Sequence, residues 1–108
     1  MGEVNKYRIN RVYNNSTKVW DYYLFWGGET IKSAENYLAM NNQRMWYINT
    51  TVLAKYDTAR KVFIESVGSF GTIKVDPLFN EVAIEAGNPF SAIDEFKDYV
   101  EEVSEWYL

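Results

Sequence analysis

Short apolar segments separated by polar turns run through most of this chain, and they restrict the folds open to it. These segments lie at residues 5–13, 19–26, 45–54, 61–67, 72–75 and 81–86. They are rich in Tyr, Trp, Val and Ile, which favour β-strands. Parallel strands need crossover connections of about a dozen residues or more, and most of the gaps here are shorter. The pattern therefore predicts a twisted antiparallel sheet of about five to six strands.

Polar and glycine-rich stretches mark where the strands end. Residues 14–18 read Asn-Asn-Ser-Thr-Lys and predict a turn that joins the first two strands as a hairpin. The sequence Gly-Ser-Phe-Gly at residues 68–71 predicts a second hairpin. Residues 30–42 are ambiguous, because Ser33 could cap a short helix there or the segment could be a loop.

Residues 89–107 predict one amphipathic helix. Its apolar side chains recur at helical spacing in a single stripe, formed by Ile93, Phe96, Val100, Val103 and Tyr107. Ser91 and Asp94 have the spacing of a capping box, which predicts that Ser91 caps the helix. A helix of this kind packs on one face of a sheet, so we expect an α+β fold and a single domain over residues 1–108.

The composition excludes several kinds of chemistry. The chain has no His and no Cys, so it lacks the commonest general base and cannot form a disulfide or use a thiolate. We expect no catalytic residues, no metal site and no cofactor, and therefore not an enzyme. No apolar run approaches the roughly 20 residues of a membrane span, and the N-terminus lacks a signal-peptide pattern. We expect a cytoplasmic protein that does not enter a membrane.

The charge of the chain is divided unequally along its length. Residues 1–80 carry ten Lys or Arg against seven Asp or Glu, whereas residues 81–108 carry one against eight. Most of the acidic excess lies on the terminal helix, opposite the apolar stripe, at Asp94, Glu95, Asp98, Glu101, Glu102 and Glu105. Carboxylates at these spacings form rows about 5–6 Å apart, a distance comparable to the phosphate spacing of a nucleic-acid strand. The acidic face predicts either a solvated surface or a docking surface for a basic partner.

The chain resembles, in composition alone, the small inhibitor, immunity and anti-defence proteins of toxin systems and phages. It shares with them its short length, acidity, lack of Cys and abundance of aromatic residues. The resemblance implies a protein that blocks a basic partner, such as a nuclease or another nucleic-acid-binding protein. The acidic face would meet Lys and Arg side chains of that partner, with Tyr99 and Trp106 as aromatic anchors.

Two other functions remain open at this point. The first hairpin carries Arg8 and Arg11 among Tyr and Trp residues, which could form a nucleic-acid-binding platform. The overall pI near 4.8 argues against that use. Alternatively, a sheet edge or an aromatic face could assemble the chain into a structural homo-oligomer. Neither the oligomeric state nor the identity of a partner follows from the sequence.

Overall fold

The computed structural model describes residues 6–30, 45–76 and 78–106, which form an antiparallel sheet and one helix. The strands are β1 (Tyr7–Asn14), β2 (Val19–Thr30), β3 (Met45–Asp57), β4 (Val62–Val75) and β5 (Val82–Ile84), and helix α1 spans Pro89–Trp106. The strand order is β4-β3-β2-β1-β5. The predicted α+β fold is therefore confirmed. The short helix predicted near residues 30–42 falls outside the described residues, except that Thr30 ends β2.

Two hairpin turns share one construction. Asn14 accepts the Lys18 N–H on its carbonyl oxygen at 2.7 Å, and its side-chain Oδ1 accepts the Ser16 N–H at 2.9 Å. Asp57 likewise accepts the Lys61 N–H at 2.7 Å and the Arg60 N–H at 3.1 Å. The last residue of each turn, Lys18 or Lys61, has positive φ. An Asn or Asp at the end of the first strand thus folds each four-residue loop back on itself, as predicted for residues 14–18.

The hairpin predicted at residues 68–71 is wrong, because β4 runs through these residues as one strand. Gly68 has a φ of 112°, a conformation that favours glycine. The register between β3 and β4 shifts at this point, between Val52 and Ala54. The glycine therefore produces a β-bulge that bends the strand instead of a turn that reverses it. The described sheet has five strands because the two predicted segments at residues 61–67 and 72–75 are one.

The sheet curls so that the end of β4 reaches β1. The end of β4 leads to Asp76, whose N–H donates to the Arg11 carbonyl of β1 at 2.9 Å. The Arg11 guanidinium also donates to Asp76 Oδ2, from Nε at 3.0 Å and from Nη2 at 2.7 Å. Strands β4 and β1 stand three places apart in the sheet, so these bonds close the curl into a partial barrel.

The curled sheet has an apolar cluster on each face. One cluster lies inside the curl and consists of Phe25, Tyr47, Val52 and Val75, with Val12, Tyr23 and Ile73 against them. The other lies between the sheet and α1, where Phe96 and Val100 meet Ile9 and Leu24. All four of these side chains are at most 1% exposed. The predicted burial of Phe96 and Val100 is confirmed, and Tyr107 lies outside the described residues.

Helix α1 begins earlier than the predicted cap. Asn88 is the capping residue, because its Oδ1 accepts the Ser91 N–H at 2.9 Å and its carbonyl accepts the Ala92 N–H at 3.1 Å. Pro89 then occupies the first helical position, where its missing N–H costs nothing. The prediction of Ser91 as the cap was wrong by three residues, since Asn and Ser are both good caps. Among the described residues, no helical segment combines the length and the hydropathy that a membrane span requires.

A buried carboxylate connects the two hairpin turns. Asp21 on β2 is 1% exposed. Its Oδ2 accepts the Asn14 amide at 3.0 Å and lies 3.8 Å from Lys55 Nζ, and its Oδ1 accepts the Thr58 N–H at 3.1 Å. Thr58 also donates its hydroxyl to the Trp20 carbonyl at 2.5 Å. These bonds hold the β1–β2 turn against the β3–β4 turn at one end of the sheet.

Removing this carboxylate should destabilise the fold. We expect Asp21→Ala to lower the free energy of unfolding by about 2–3 kcal/mol, because it leaves buried donors without an acceptor. Asp21→Asn keeps the side-chain shape and one acceptor oxygen, and should cost about 1 kcal/mol. Urea denaturation of both variants measures the difference. Equal stability of Asp21→Ala and the wild type would contradict the role of Asp21 as a connection between the turns.

Candidate protein-binding surface

Helix α1 presents its carboxylates to solvent because its opposite side is committed to the core. Ala92, Phe96 and Val100 are buried at spacings of four residues and face the sheet. The described acidic side chains of the helix are all exposed, at Asp94, Glu95, Asp98, Glu101 and Glu102. The side chains of Glu105 and Trp106, which were also predicted to bind a partner, lie outside the part that the structure describes.

The structure brings three of the predicted acidic residues together along one groove. Glu95, Asp98 and Glu102 line a groove of about 310 Å³ between α1 and β5. Tyr99 also lines it, and the strand side is formed by Ile9, Val82, Ala83 and Ile84. We call this the β5–α1 groove. It combines an acidic wall with an apolar floor, a combination suited to the aliphatic stem and charged end of Lys or Arg.

A second depression of about 390 Å³ continues the β5–α1 groove toward the segment after β4. The two share Tyr99 and Glu102, and the second adds Phe79, Val103 and the exposed Leu78. Leu78 is 88% exposed, so its side chain is available to a second molecule. Sequence reasoning missed Leu78 and Phe79, although an apolar pair directly after the strand-breaking Asp76-Pro77 was a signal available in the sequence.

The segment that carries Leu78 is held in place by the Arg11–Asp76 contact. The Arg11 guanidinium lies between two aromatic rings, 4.8 Å from the Trp20 centroid and 5.3 Å from the Phe79 centroid. Asp76 Oδ1 accepts the Leu78 N–H at 2.9 Å. The Leu78 backbone is therefore fixed while its side chain projects into solvent.

The remaining described carboxylates of α1 lie toward the opposite flank. Lys97 on that flank forms an ion pair with Glu65 of β4, with Nζ and Oε1 2.7 Å apart. This bond raises the pKa of Lys97, and the nearby charges of Glu65, Asp94 and Glu101 add to the effect. Glu101 also contributes, after burial and Asp57, to the raised pKa of Tyr56 on β3. The acidic face predicted as one surface is thus divided between the β5 side and the β3–β4 side.

Glu81 anchors the other end of the segment that follows β4. It accepts the Tyr47 hydroxyl hydrogen bond and pairs with Arg8, whose Nε lies 3.4 Å from Glu81 Oε1. Arg8 also lies over the Tyr47 ring, 5.6 Å from its centroid. Burial raises the pKa of Glu81, and the positive charges of Arg8 and Lys6 oppose that rise without cancelling it.

Several residues of the first hairpin that were considered for nucleic-acid binding make contacts within the protein. Arg8 and Arg11 are paired with Glu81 and Asp76. Tyr7 and Tyr22 are buried at 6% and 7% exposure. These four of the side chains considered for binding phosphate and bases are therefore engaged in ion pairs and in the core.

Acidic residues of the sheet likewise form ion pairs within the protein. Asp57 bonds to Arg60 at 2.8 Å, which is the main cause of its lowered pKa. Asp76, Glu65 and Glu81 pair with Arg11, Lys97 and Arg8 in turn. Across residues 6–30, 45–76 and 78–106, no three Asp or Glu side chains are grouped so that they could hold a metal ion.

The raised pKa of Glu81 makes a pH-dependent contribution to stability. Because the folded state holds the Glu81 proton more tightly, this contribution is present below the ordinary value of 4.5 and is lost as the pH rises through the folded pKa. Glu81→Gln keeps an acceptor for Tyr47 and cannot ionise. We expect the variant to gain stability relative to the wild type as the pH is raised from 4 to 7.

Urea denaturation at a series of pH values measures this difference. Glu85→Gln removes a neighbouring exposed carboxylate and corrects for the change in net charge. A difference between Glu81→Gln and the wild type that stays constant over the whole pH range would refute the assignment.

The chain matches no protein-family model, no curated protein and no solved structure. Its own surface is therefore the basis for a functional proposal.

Proposed function

We propose that this protein is a non-enzymatic binding protein that docks on a basic protein partner through the acidic side of α1. The partner is a nuclease or another nucleic-acid-binding protein, and docking blocks its nucleic-acid surface, in the manner of immunity and phage anti-defence inhibitors. The observation that carries the proposal is the contrast between the paired acidic residues of the sheet and the unpaired ones of the β5–α1 groove.

That contrast separates the ion-paired carboxylates from those of the groove, although among the described residues the exposed Glu85 and Asp94 also lack a basic partner within 4 Å. Five acidic residues outside the helix have a basic partner within 4 Å, namely Asp21, Asp57, Glu65, Asp76 and Glu81. Within the same described part of the chain, Glu95, Asp98 and Glu102 have no basic partner at that distance. Their charge is therefore available to a second molecule.

The unpaired carboxylates have a cost in the free protein. Asp94 and Asp98 are four residues apart, as are Asp98 and Glu102, and each such pair of like charges destabilises a helix by roughly 0.2–0.5 kcal/mol. A basic partner would relieve this repulsion on binding. It would also be attracted from a distance, which raises the association rate and makes it sensitive to salt.

The geometry of the charge supports this class of partner. The acidic rows on the helix have a spacing of about 5–6 Å, comparable to that of phosphates along a strand. A groove that binds nucleic acid through Lys and Arg would accept such a row in place of phosphates. The apolar floor and Leu78 add contacts that phosphate cannot provide, which favours a protein inhibitor over simple ionic competition.

Charge reversal on the groove side should abolish binding. The partner is first captured from lysate of the native host after nuclease treatment, identified by mass spectrometry and purified. We then expect Glu95→Lys, Asp98→Lys and Glu102→Lys together to weaken its affinity at least 100-fold, because like charges would face each other across the interface. Isothermal titration calorimetry measures the change.

A second triple variant controls for net charge. Glu85→Lys, Asp94→Lys and Glu101→Lys change the charge by the same amount on exposed positions outside the described wall of the groove. This control should retain most of the affinity. Equal loss in both variants, or no loss in the first, would overturn the proposed site.

Leu78 should contribute to the same interface. We expect Leu78→Ala to weaken partner binding at least tenfold, because burial of a leucine side chain contributes on the order of 1.5–3 kcal/mol. The stability of the free protein should not change, since Leu78 is 88% exposed. Val62→Ala, at another exposed apolar residue in the sheet, is the control and should leave affinity unaltered. An unaltered affinity of Leu78→Ala would remove this residue from the interface.

A further inference from the structure

β5 is an edge strand of the described sheet. β5 pairs with β1 on one side, and it ends the strand order of the sheet. Among the described residues, no strand pairs with its other side. An unpaired strand edge presents N–H and C=O groups that can bind another strand.

The backbone hydrogen bonds of β1 alternate between its two sides. This alternation determines which residue of β5 has its N–H and C=O pointing outward. The Gly27 N–H donates to the Lys6 carbonyl at 3.2 Å, so Lys6 and Gly27 form a hydrogen-bonded pair. Because such pairs alternate along an antiparallel ladder, the backbone groups of Tyr7 and Ile9 point away from β2. A second hydrogen bond supports the same alternation, because the Arg11 carbonyl accepts the Asp76 N–H on the side of β1 that faces away from β2.

The backbone of Ala83 therefore points outward. Tyr7 faces Ile84 and Ile9 faces Val82 across the β1–β5 ladder, so these two pairs exchange the hydrogen bonds. Ala83 lies between them, and its N–H and C=O point away from β1. Its side chain is exposed as well.

This free edge belongs to the β5–α1 groove. Ala83 lines the groove together with Glu95, Asp98 and Glu102. The helical rise of about 1.5 Å per residue spreads these three carboxylates over roughly 10 Å. Side chains on one face of an extended strand repeat about every 6.8 Å, so two cations at alternate positions would span the acidic wall.

The sequence of β5 lacks some of the features that protect a strand edge, although the strand is only three residues long. Edge strands are commonly kept very short or blocked by Lys, Pro or a bulge. Val82–Ile84 contains neither residue, and its pairing with β1 is regular. The other edge strand, β4, is bent by the irregularity near Gly68. The two edges of the sheet therefore differ in how readily they can accept another strand.

We infer that the β5–α1 groove binds an extended basic segment of the partner, which adds to the sheet as a strand alongside β5. Backbone hydrogen bonds to Ala83 position the segment, and Lys or Arg side chains at its alternate positions meet Glu95, Asp98 and Glu102. The inference rests on the proposed function, because it takes the same partner class and specifies how that partner is held.

A synthetic peptide tests strand addition without the natural partner. The probe is a fluorescein-labelled octapeptide of alternating lysine and threonine, and its binding is followed by fluorescence anisotropy. A second probe has the same sequence with methyl groups on all its backbone nitrogens, which preserves charge and prevents strand pairing. We expect the methylated probe to bind at least tenfold more weakly.

Substitution of Ala83 tests the same contact from the protein side. Ala83→Pro removes only an outward N–H, and proline is tolerated at such positions of edge strands. We expect it to weaken binding of the unmethylated probe at least tenfold, while Ala83→Ser, which keeps the N–H, stays within twofold of the wild type. If Ala83→Pro does not fold, the pair of probes on the wild type decides the question.

The outcomes separate this inference from the proposed function. Equal binding of both probes, or no binding of the unmethylated probe, would overturn strand addition. Neither result affects the charge-reversal experiment on the intact partner, which tests the acidic groove directly. Loss of partner binding on charge reversal, together with unaltered partner binding by Ala83→Pro, would likewise leave the proposed function standing without strand addition.

Discussion

The contact between Arg11 and Asp76 is the constraint on which the rest of the architecture depends. Through side-chain and backbone bonds it joins β1 to the end of β4, and it thereby encloses the inner apolar cluster. It also fixes the start of the segment that leads to β5, because Asp76 accepts the Leu78 N–H. The depression beside the groove, which Arg11 lines, and the position of Leu78 both depend on this closure. An arginine held between two aromatic rings is a rigid donor with little freedom to leave its carboxylate.

The strands and the terminal helix were predictable because their signals are local. Alternating apolar residues, the Asn-rich turn at residues 14–18 and the stripe through Phe96 and Val100 each depend on neighbours in sequence. The errors at Gly68 and Ser91 have a common physical origin. Glycine permits positive φ in a bulge as readily as in a turn, and Asn88 can cap a helix as well as Ser91 can. Only pairing with β3 and the burial of Ala92 distinguish these alternatives, and both are long-range contacts.

The candidate site was predictable in its charges and not in its shape. Spacing along α1 correctly places Glu95, Asp98 and Glu102 on the exposed side of the helix. It carries no information on which carboxylates face β5 and which face β4, because that depends on how the helix crosses the sheet. Leu78 and Ala83 escaped prediction for a related reason. The exposed Leu78 side chain and the outward backbone of Ala83 can be recognised as parts of a site only from the fold, because the curl of the sheet brings them beside the acidic wall.

The buried carboxylate of Asp21 also has a consequence for the uniqueness of the fold. A shift of one residue in the pairing of β2 would move every side chain of that strand to the opposite face. Asp21 would then lose Asn14 and Thr58 from two different turns at once, and a charge without partners would lie in an apolar environment. Apolar side chains such as Leu24 and Phe25 flank both faces of β2 and tolerate such a slip far better. Asp21, the acidic residue within the apolar run at residues 19–26 of β2, therefore selects one register. The alignment of the sheet thus depends on a residue that contributes almost nothing to its hydrophobicity.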